Sequence, residues 1–154
     1  MFRNLLRKNK EISREECIEL LTSETRGILS VNGDDGYPYG MPMNHYYNAD
    51  DGCIYFHCGK IGHRVDSLKT SDKVSFCVCE RGREVEGDWA LDVRSVIVFG
   101  RVAIIDDLSW VTRLPSASVR TMVRTLTGMP STWQYRVNAP WDALSSLVQV
   151  FSNL

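Results

Sequence analysis

The chain has 154 residues, a length typical of one domain, and a formal net charge of -1, which gives no general attraction to nucleic acid. Charged residues make up 24% of it and apolar residues 44%, as in ordinary globular proteins. It has no run of 18 apolar residues, and its basic N-terminus lacks the apolar region of a signal peptide. We therefore expect a single cytoplasmic domain over 1–154, with no membrane span and no nucleic-acid partner.

The first predicted element is a helix in "ISREECIELLTSET". Ser13 and Glu16 have the spacing of a capping box, in which each side chain bonds the other residue's backbone N–H. Cys17, Ile18 and Leu21 then fall on one face. This pattern predicts a helix that packs on the core.

Five strands are predicted to follow, separated by turn signals and one short helix. Gly100 in the last of them indicates a bulge or bend. Strands at this spacing favour an antiparallel sheet that closes into a small barrel, so the predicted fold class is mainly β with flanking helices. The strand segments are "RGILSVN", "YPYGMPMNHYY", "CIYFH", "KVSFCVC" and "RSVIVFGRVAII".

The last third has a different pattern. Apolar residues at helical spacing predict helices in "SASVRTMVRTLTG" (116–128) and in the tail "PWDALSSLVQVFSNL" (140–154). Between them, "MPSTWQYRVNAPW" (129–141) is rich in Trp and Pro and is predicted to be a loop.

Five cysteines is an odd number, which favours reduced thiols over a disulfide framework. Cys77 and Cys79 would face the same side of a strand. With Cys53, Cys58 and the histidines they could form a zinc site. No CxxC pair is present, however, and small cysteines in an apolar strand are usual core residues, so we predict no metal.

The segment "CIYFHCGKIGHRVDSLK" has the composition of a phosphate site. Gly59 and Gly62 allow tight turns, and a helix start just after them offers free N–H groups and a partial positive charge. Arg64 adds a planar fork of donors and Lys60 a mobile charge. Ile61 stands where a P-loop has Ser or Thr, so this is not a P-loop. A solvated basic loop is the alternative.

The segment "YGMPMNHYY" contains Pro42 inside a strand pattern. Proline cannot donate to a β-ladder, so it indicates an edge or a bulge. Backbone groups beside such an edge could bond a flat heterocycle. The alternative is a barrel wall with some polar positions.

In this order and spacing, the chain resembles the pyridoxamine 5′-phosphate oxidase-like FMN-binding split barrels, most closely their nitroimidazole-resistance (nitroimidazole reductase-like) branch. The resemblance covers about residues 12 to 108. It rests on G-x-P-x-x-x-P at Gly36, Pro38 and Pro42, and on YFH-x-G-x-x-G-x-R, which ends at Arg64. After about residue 112 the chain departs from the family, whose members end in a strand near a Gly-Lys pair.

The resemblance implies an antiparallel split barrel that binds FMN, forms a homodimer and uses His57 in catalysis. A histidine with a purely structural role is the alternative for His57. The resemblance also implies three groups of cofactor-binding residues: one along the rim of the flavin ring, one beside the flavin and its ribityl chain, and one at the phosphate. These are Met41, Pro42, Met43 and Asn44; Phe56, His57 and Cys58; and Lys60, His63, Arg64 and Ser95.

We therefore expect an FMN-dependent oxidoreductase that reduces a small organic molecule, with nitroaromatic acceptors as the family's example. One alternative is a flavin carrier or sensor without turnover. A second is a haem- or metal-binding barrel that uses His45, His57 or His63. Exposed-looking tyrosines at 37, 39, 46 and 47 also favour a homodimer.

Overall fold

A computed structural model of the chain describes residues 6, 8–59, 61–87, 89, 91–105 and 132–138. In these ranges it is mainly β, with two α-helices. The helices are α1 (Arg14–Ser23) and α2 (His63–Thr70). The strands are β1 (Arg26–Asn32), β2 (Pro38–Asn48), β3 (Cys53–Gly59), β4 (Lys73–Cys79), β5 (Arg83–Glu84), β6 (Leu91–Asp92), β7 (Ser95–Ile105) and β8 (Thr132–Asn138).

Helix α1 begins with the predicted capping box. The Ser13 N–H donates to Glu16 Oε2 at 2.8 Å, and the Glu16 N–H donates to Ser13 Oγ at 3.2 Å. Cys17, Leu20 and Leu21 are buried, so α1 packs its apolar face on the barrel core as expected. No helix in the described ranges has the length and hydrophobicity needed to cross a membrane.

Six strands form a closed barrel in the order β1-β2-β3-β8-β7-β4, and all six pairings are antiparallel. The predicted mainly-β barrel is thus confirmed. The short strands β5 and β6 pair only with each other in the part of the chain that the structure describes, and extend the connection between β4 and β7.

The strand β8 corrects the prediction of a loop over 129–141. It lies between β3 and β7, so it closes the barrel. Thr, Trp, Tyr and Val, which favour strands, supply four of its seven residues, and Pro130 and Pro140 fall just outside it. The ladders with β3 and β7 outweigh the local loop signal of those prolines and of the Trp content. The helices predicted at 116–128 and 140–154 lie outside the described residues.

Of the bulge or bend predicted at Gly100, the bulge is wrong. The ladder between β4 and β7 runs without interruption from Lys73↔Arg101 to Cys79↔Ser95, with Gly100 opposite Val74. Gly100 alternates in phase with the buried Val96 and Val98 and therefore faces the barrel interior.

Alternate residues of β1 and β4 are buried and fill the barrel interior. The rings of Phe56 and Phe76 meet edge to face at its centre, with centroids 4.9 Å apart. Both rings are fully buried, and so are Leu29, Val78, Val96 and Val98. Met41, Met43 and Tyr47 are also buried, so these alternate residues of β2 share the inward face.

Candidate functional site

Strand β2 changes its strand neighbour along its length. Its ladder with β3 runs from Asn48↔Cys53 to His45↔Phe56, whereas its ladder with β1 continues down to Pro38. Within the described residues, the part of β2 before His45 therefore has one strand neighbour. Pro42 lies in this part, as expected for a proline at a strand edge. The barrel is split between this segment and the end of β3.

Arg64 lies at this opening. It is the second residue of α2, and its Nη1 is 3.5 Å from Met43 Sδ and 3.7 Å from Met41 Sδ. Its Nε atom is buried and has no hydrogen-bond partner among the described residues. Thioether sulfur is a weak acceptor, so these contacts satisfy a guanidinium poorly. A buried unpaired donor is costly, and an anion in the opening would remove that cost.

The start of α2 is shaped by Gly62. This residue has φ 124° and ψ 168°, a backbone conformation that residues with a Cβ rarely adopt. The first hydrogen bonds of the helix go from the N–H groups of Val65 and Asp66 to Gly62 O, at 2.8 and 3.2 Å. The N–H groups of His63 and Arg64 precede them, as donors at the positive end of the helix dipole.

His57 lies in the second half of β3, and the charge of Arg64 acts on it. Burial lowers the pKa of His57, and the Arg64 charge lowers it further. Its Nδ1 atom is buried without a hydrogen-bond partner among the described residues. At neutral pH the imidazole is therefore uncharged and able to accept a proton or a hydrogen bond.

His63 is already engaged with the turn between β1 and β2. Its ring stacks on Tyr39, with centroids 4.3 Å apart and planes 12° apart, and its Nε2 is 3.4 Å from Asp34 Oδ2. Lys60, predicted beside it, lies outside the described residues.

The remaining predicted residues are spread around the opening and beyond it. Pro42 and Asn44 face outward, and Asn44 Oδ1 accepts a hydrogen bond from Arg26 Nε at 2.9 Å. Cys58 is buried, and its thiol donates to Gly59 O at 3.0 Å. Phe56 belongs to the core. Ser95 lies on β7, where it pairs with Cys79 of β4, three strands around the barrel from β2.

The predicted set therefore divides by position. Arg64, Met41 and Met43 are in contact, and Arg64 acts electrostatically on His57. Ser95 is remote from this group by strand order. The cofactor contacts of all these residues stay predictions.

Sequence reasoning missed Ser67 and Asp34. Ser67 is one turn after Arg64 on α2; it is buried, and its Oγ has no partner among the described residues. No local signal indicates it, because Ser67 is two positions after Val65 and such positions do not share a helix face. No local signal could have paired Asp34 with His63, because that contact joins two distant turns.

The cysteines do not form a reactive or metal-binding cluster within the described ranges. No group of three or more His, Cys, Asp or Glu residues there could hold a metal ion. Burial raises the pKa of the Cys17 thiol to about 11, and it also raises those of Cys77 and Cys79. These thiols stay protonated at neutral pH and have little nucleophilic character.

The geometry of the opening fits an anionic group. It has a poorly satisfied guanidinium, a helix start with N–H donors and a neutral imidazole. Beside them is a strand segment with one free edge, which could bond the rim of a planar ring. Together these features suit a phosphorylated ligand that carries a flat ring system.

Comparison with known proteins gives the same type of fold. The family model of pyridoxamine 5′-phosphate oxidase matches residues 13–134. A candidate 5-nitroimidazole antibiotic resistance protein from Bacteroides thetaiotaomicron has a TM-score of 0.67 at 16% identity, with 84% of this chain and 81% of that one covered. An FAD-binding protein from Mesorhizobium loti has a TM-score of 0.64 at 24% identity, covering 84% of this chain and 91% of its own.

The FAD-binding protein from Mycobacterium smegmatis has a TM-score of 0.58 at 20% identity, with coverage of 83% and 90%. At these identities the likeness to solved structures shows a shared fold. A search of curated proteins gave no match.

Proposed function

Since the chain belongs to the pyridoxamine 5′-phosphate oxidase family, we propose that it binds FMN in the opening between β2 and β3 and acts as an oxidoreductase on a small organic acceptor. The observation that carries this proposal is Arg64, which is placed against two methionine sulfurs with a buried Nε lacking any partner among the described residues. A phosphate oxygen would give this guanidinium the charged acceptor that sulfur does not provide.

The site suits a ligand with a single terminal phosphate, which favours FMN over FAD. One guanidinium and one helix start together can hold one phosphate dianion. Two of the solved relatives are named as FAD-binding proteins, so FAD is the competing ligand that an experiment has to exclude.

When bound, flavin would supply hydride and single-electron transfer, and the chain would supply binding, orientation and proton handling. Met41 and Met43 give the opening a buried apolar floor. Pro42 has no N–H, so the backbone of β2 lacks one donor there. The remaining backbone groups along the free edge of β2 would bond the rim of the flavin ring. Phosphate at Arg64 would offset the positive charge that disfavours the His57 imidazolium, making His57 a better proton acceptor.

We also propose a homodimer, supported by an apolar row on the outside of the barrel. The ladders align Pro42 with Ile28, Ile28 with Cys77, and Cys77 with Ile97 across four adjacent strands. Ile28 is 41% exposed there. An apolar surface that crosses several strands is typical of an interaction site.

The tyrosines support the dimer less than expected. Tyr37 is 75% exposed, but Tyr47 is only 5% exposed and belongs to the core. Sedimentation equilibrium of the flavin-loaded protein checks the dimer, and a monomer at full flavin occupancy would exclude it.

The decisive experiment on function is the visible spectrum of the purified chain, followed by chromatography of the flavin released on denaturation. We expect the two bands of oxidised flavin and release of FMN; release of FAD would correct the cofactor. The protein is then reduced and mixed with a nitroaromatic acceptor. Reoxidation no faster than that of free FMN would identify a flavin carrier, and a chain that neither contains nor takes up flavin would refute the proposal.

A further inference from the structure

The contacts of His63 tie the start of α2 to a distant turn. Asp34 opens the 3-10 turn 34–36 between β1 and β2, and Tyr39 is the second residue of β2. His63 meets both, with its ring flat on Tyr39 and its Nε2 at 3.4 Å from the Asp34 carboxylate. Tyr39 itself packs against the core, so it holds the His63 ring in a fixed position.

The turn on the other side of this contact is tightly built. The Gly33 N–H donates to Tyr37 O at 2.9 Å, which closes the turn. A Cβ on Gly33 would lie 2.8 Å from Tyr37 O and 3.0 Å from Tyr39 Cβ, so the close approach requires glycine. The turn is therefore a firm support for the His63 ring.

The start of α2 has little other local support. The helix follows Gly62, whose φ of 124° belongs to a conformation open to glycine, and it has no side-chain N-cap. Arg64 follows His63 directly, so the position of the His63 backbone largely sets where the guanidinium enters the opening.

We propose that His63 is a positioning residue, which with Asp34 and Tyr39 clamps the first turn of α2 and thereby holds Arg64 at the anion site. This inference rests on the proposed phosphate site and deepens it. It assigns His63 to the support of Arg64 and makes Asp34 part of an anion-binding site despite its negative charge.

Removal of the Asp34 carboxylate distinguishes the clamp from direct phosphate binding by His63, because the two roles predict opposite changes in FMN affinity. If His63 bound phosphate directly, Asp34 would be a nearby negative charge that opposes the anion, and its removal would leave FMN affinity unchanged or improve it. If Asp34 holds His63 in place, its removal must weaken the phosphate contribution.

The experiment measures the ratio of riboflavin Kd to FMN Kd, which isolates the phosphate from the ring. We expect this ratio to fall about two- to fivefold in Asp34→Ala, which removes the exposed polar contact, and about three- to tenfold in His63→Leu, which also removes the aromatic contact. His63→Phe keeps the stack on Tyr39 and should retain part of the ratio. Asp35→Asn removes a charge from the same turn, and its ratio should match that of wild type.

A double-mutant cycle adds a second criterion. In Arg64→Ala the ratio is already low, so adding His63→Leu should cause no further loss if His63 acts through Arg64. An unchanged or raised ratio in Asp34→Ala would overturn the proposal. So would a further fall when His63→Leu is added to Arg64→Ala.

A readout without flavin keeps the clamp testable if the proposed function fails. The amide groups of Val65 and Asp66 bond to Gly62 O in the first turn of α2. Their hydrogen exchange should be faster in Asp34→Ala than in Asp35→Asn or wild type. Faster exchange in a chain that binds no flavin would support the clamp and refute FMN binding, whereas equal exchange in the three proteins would refute the clamp.

Discussion

Replacing Arg64 with alanine should weaken FMN binding while leaving riboflavin binding nearly unchanged. The guanidinium is half-buried at the opening between β2 and β3, with its Nη1 on two methionine sulfurs. Hydrogen bonds that involve a charged group contribute about 1.5–3 kcal/mol. The Kd for FMN should therefore rise by about 10- to 150-fold.

The same substitution should not destabilise the flavin-free protein strongly. Arg64 Nε is buried without a partner among the described residues, so its removal relieves an unsatisfied donor. Arg64→Met keeps a long side chain between Met41 and Met43 and should be at least as stable as wild type without ligand. Weaker FMN binding together with unchanged or higher ligand-free stability is the signature of an anion-binding residue.

In the assay, flavin-free protein is titrated with FMN and with riboflavin, and binding is monitored through the quenching of flavin fluorescence. Lys69→Ala is the matched control, because Lys69 is an exposed cation on the same helix that pairs with Asp66. Its FMN affinity should stay within about twofold of wild type, as for most exposed ion pairs. An unchanged FMN Kd in both Arg64 variants would show that the phosphate does not lie at Arg64.

Three further predictions concern His57, His45 and Ser13. His57→Ala should keep bound flavin but slow stopped-flow reoxidation per flavin by about 10²–10⁴-fold, and a rate within about threefold of wild type would make His57 structural. The free energy of unfolding should fall as the pH drops from about 7 to 5. Burial lowers the pKa of His45 and His57 in the folded protein, so the unfolded chain takes up protons at a higher pH than the folded chain does. Urea midpoints measured across this pH range check this, and they should depend less on pH in His45→Phe than in wild type. Ser13→Ala should cost about 0.5–2 kcal/mol in urea unfolding through loss of the capping box, whereas Glu15→Ala should cost less, and equal losses would argue against a special role of the cap.

Most of the barrel could be predicted because its signals are local. The capping box at Ser13, the alternation in β2 and β4 and the turn residues each act within a few positions, so each is visible in a short window. The position of Arg64 just after Gly62 was equally local. The strand edge at Pro42 followed from the chemistry of one residue.

The features that were missed depend on distant partners. Strand β8 is stabilised by ladders with β3 and β7, and its own residues between two prolines resembled a loop. The contact of His63 with Asp34 joins residues that are far apart in the chain. Gly100 occupies an inward position of a continuous ladder, and glycine alone does not distinguish that from a bulge.

The closing strand β8 has a consequence for folding. It pairs with β3, from which 72 residues separate it in the chain, and with β7, from which 26 residues separate it. Such long-range pairings have high contact order, so the barrel should fold slowly and close only after Asn138 has left the ribosome. Until then β3 and β7 each present an unpaired edge with apolar neighbours, which can pair with other chains. A chain that stops before Thr132 should therefore aggregate, and the growing chain is exposed to the same hazard during synthesis.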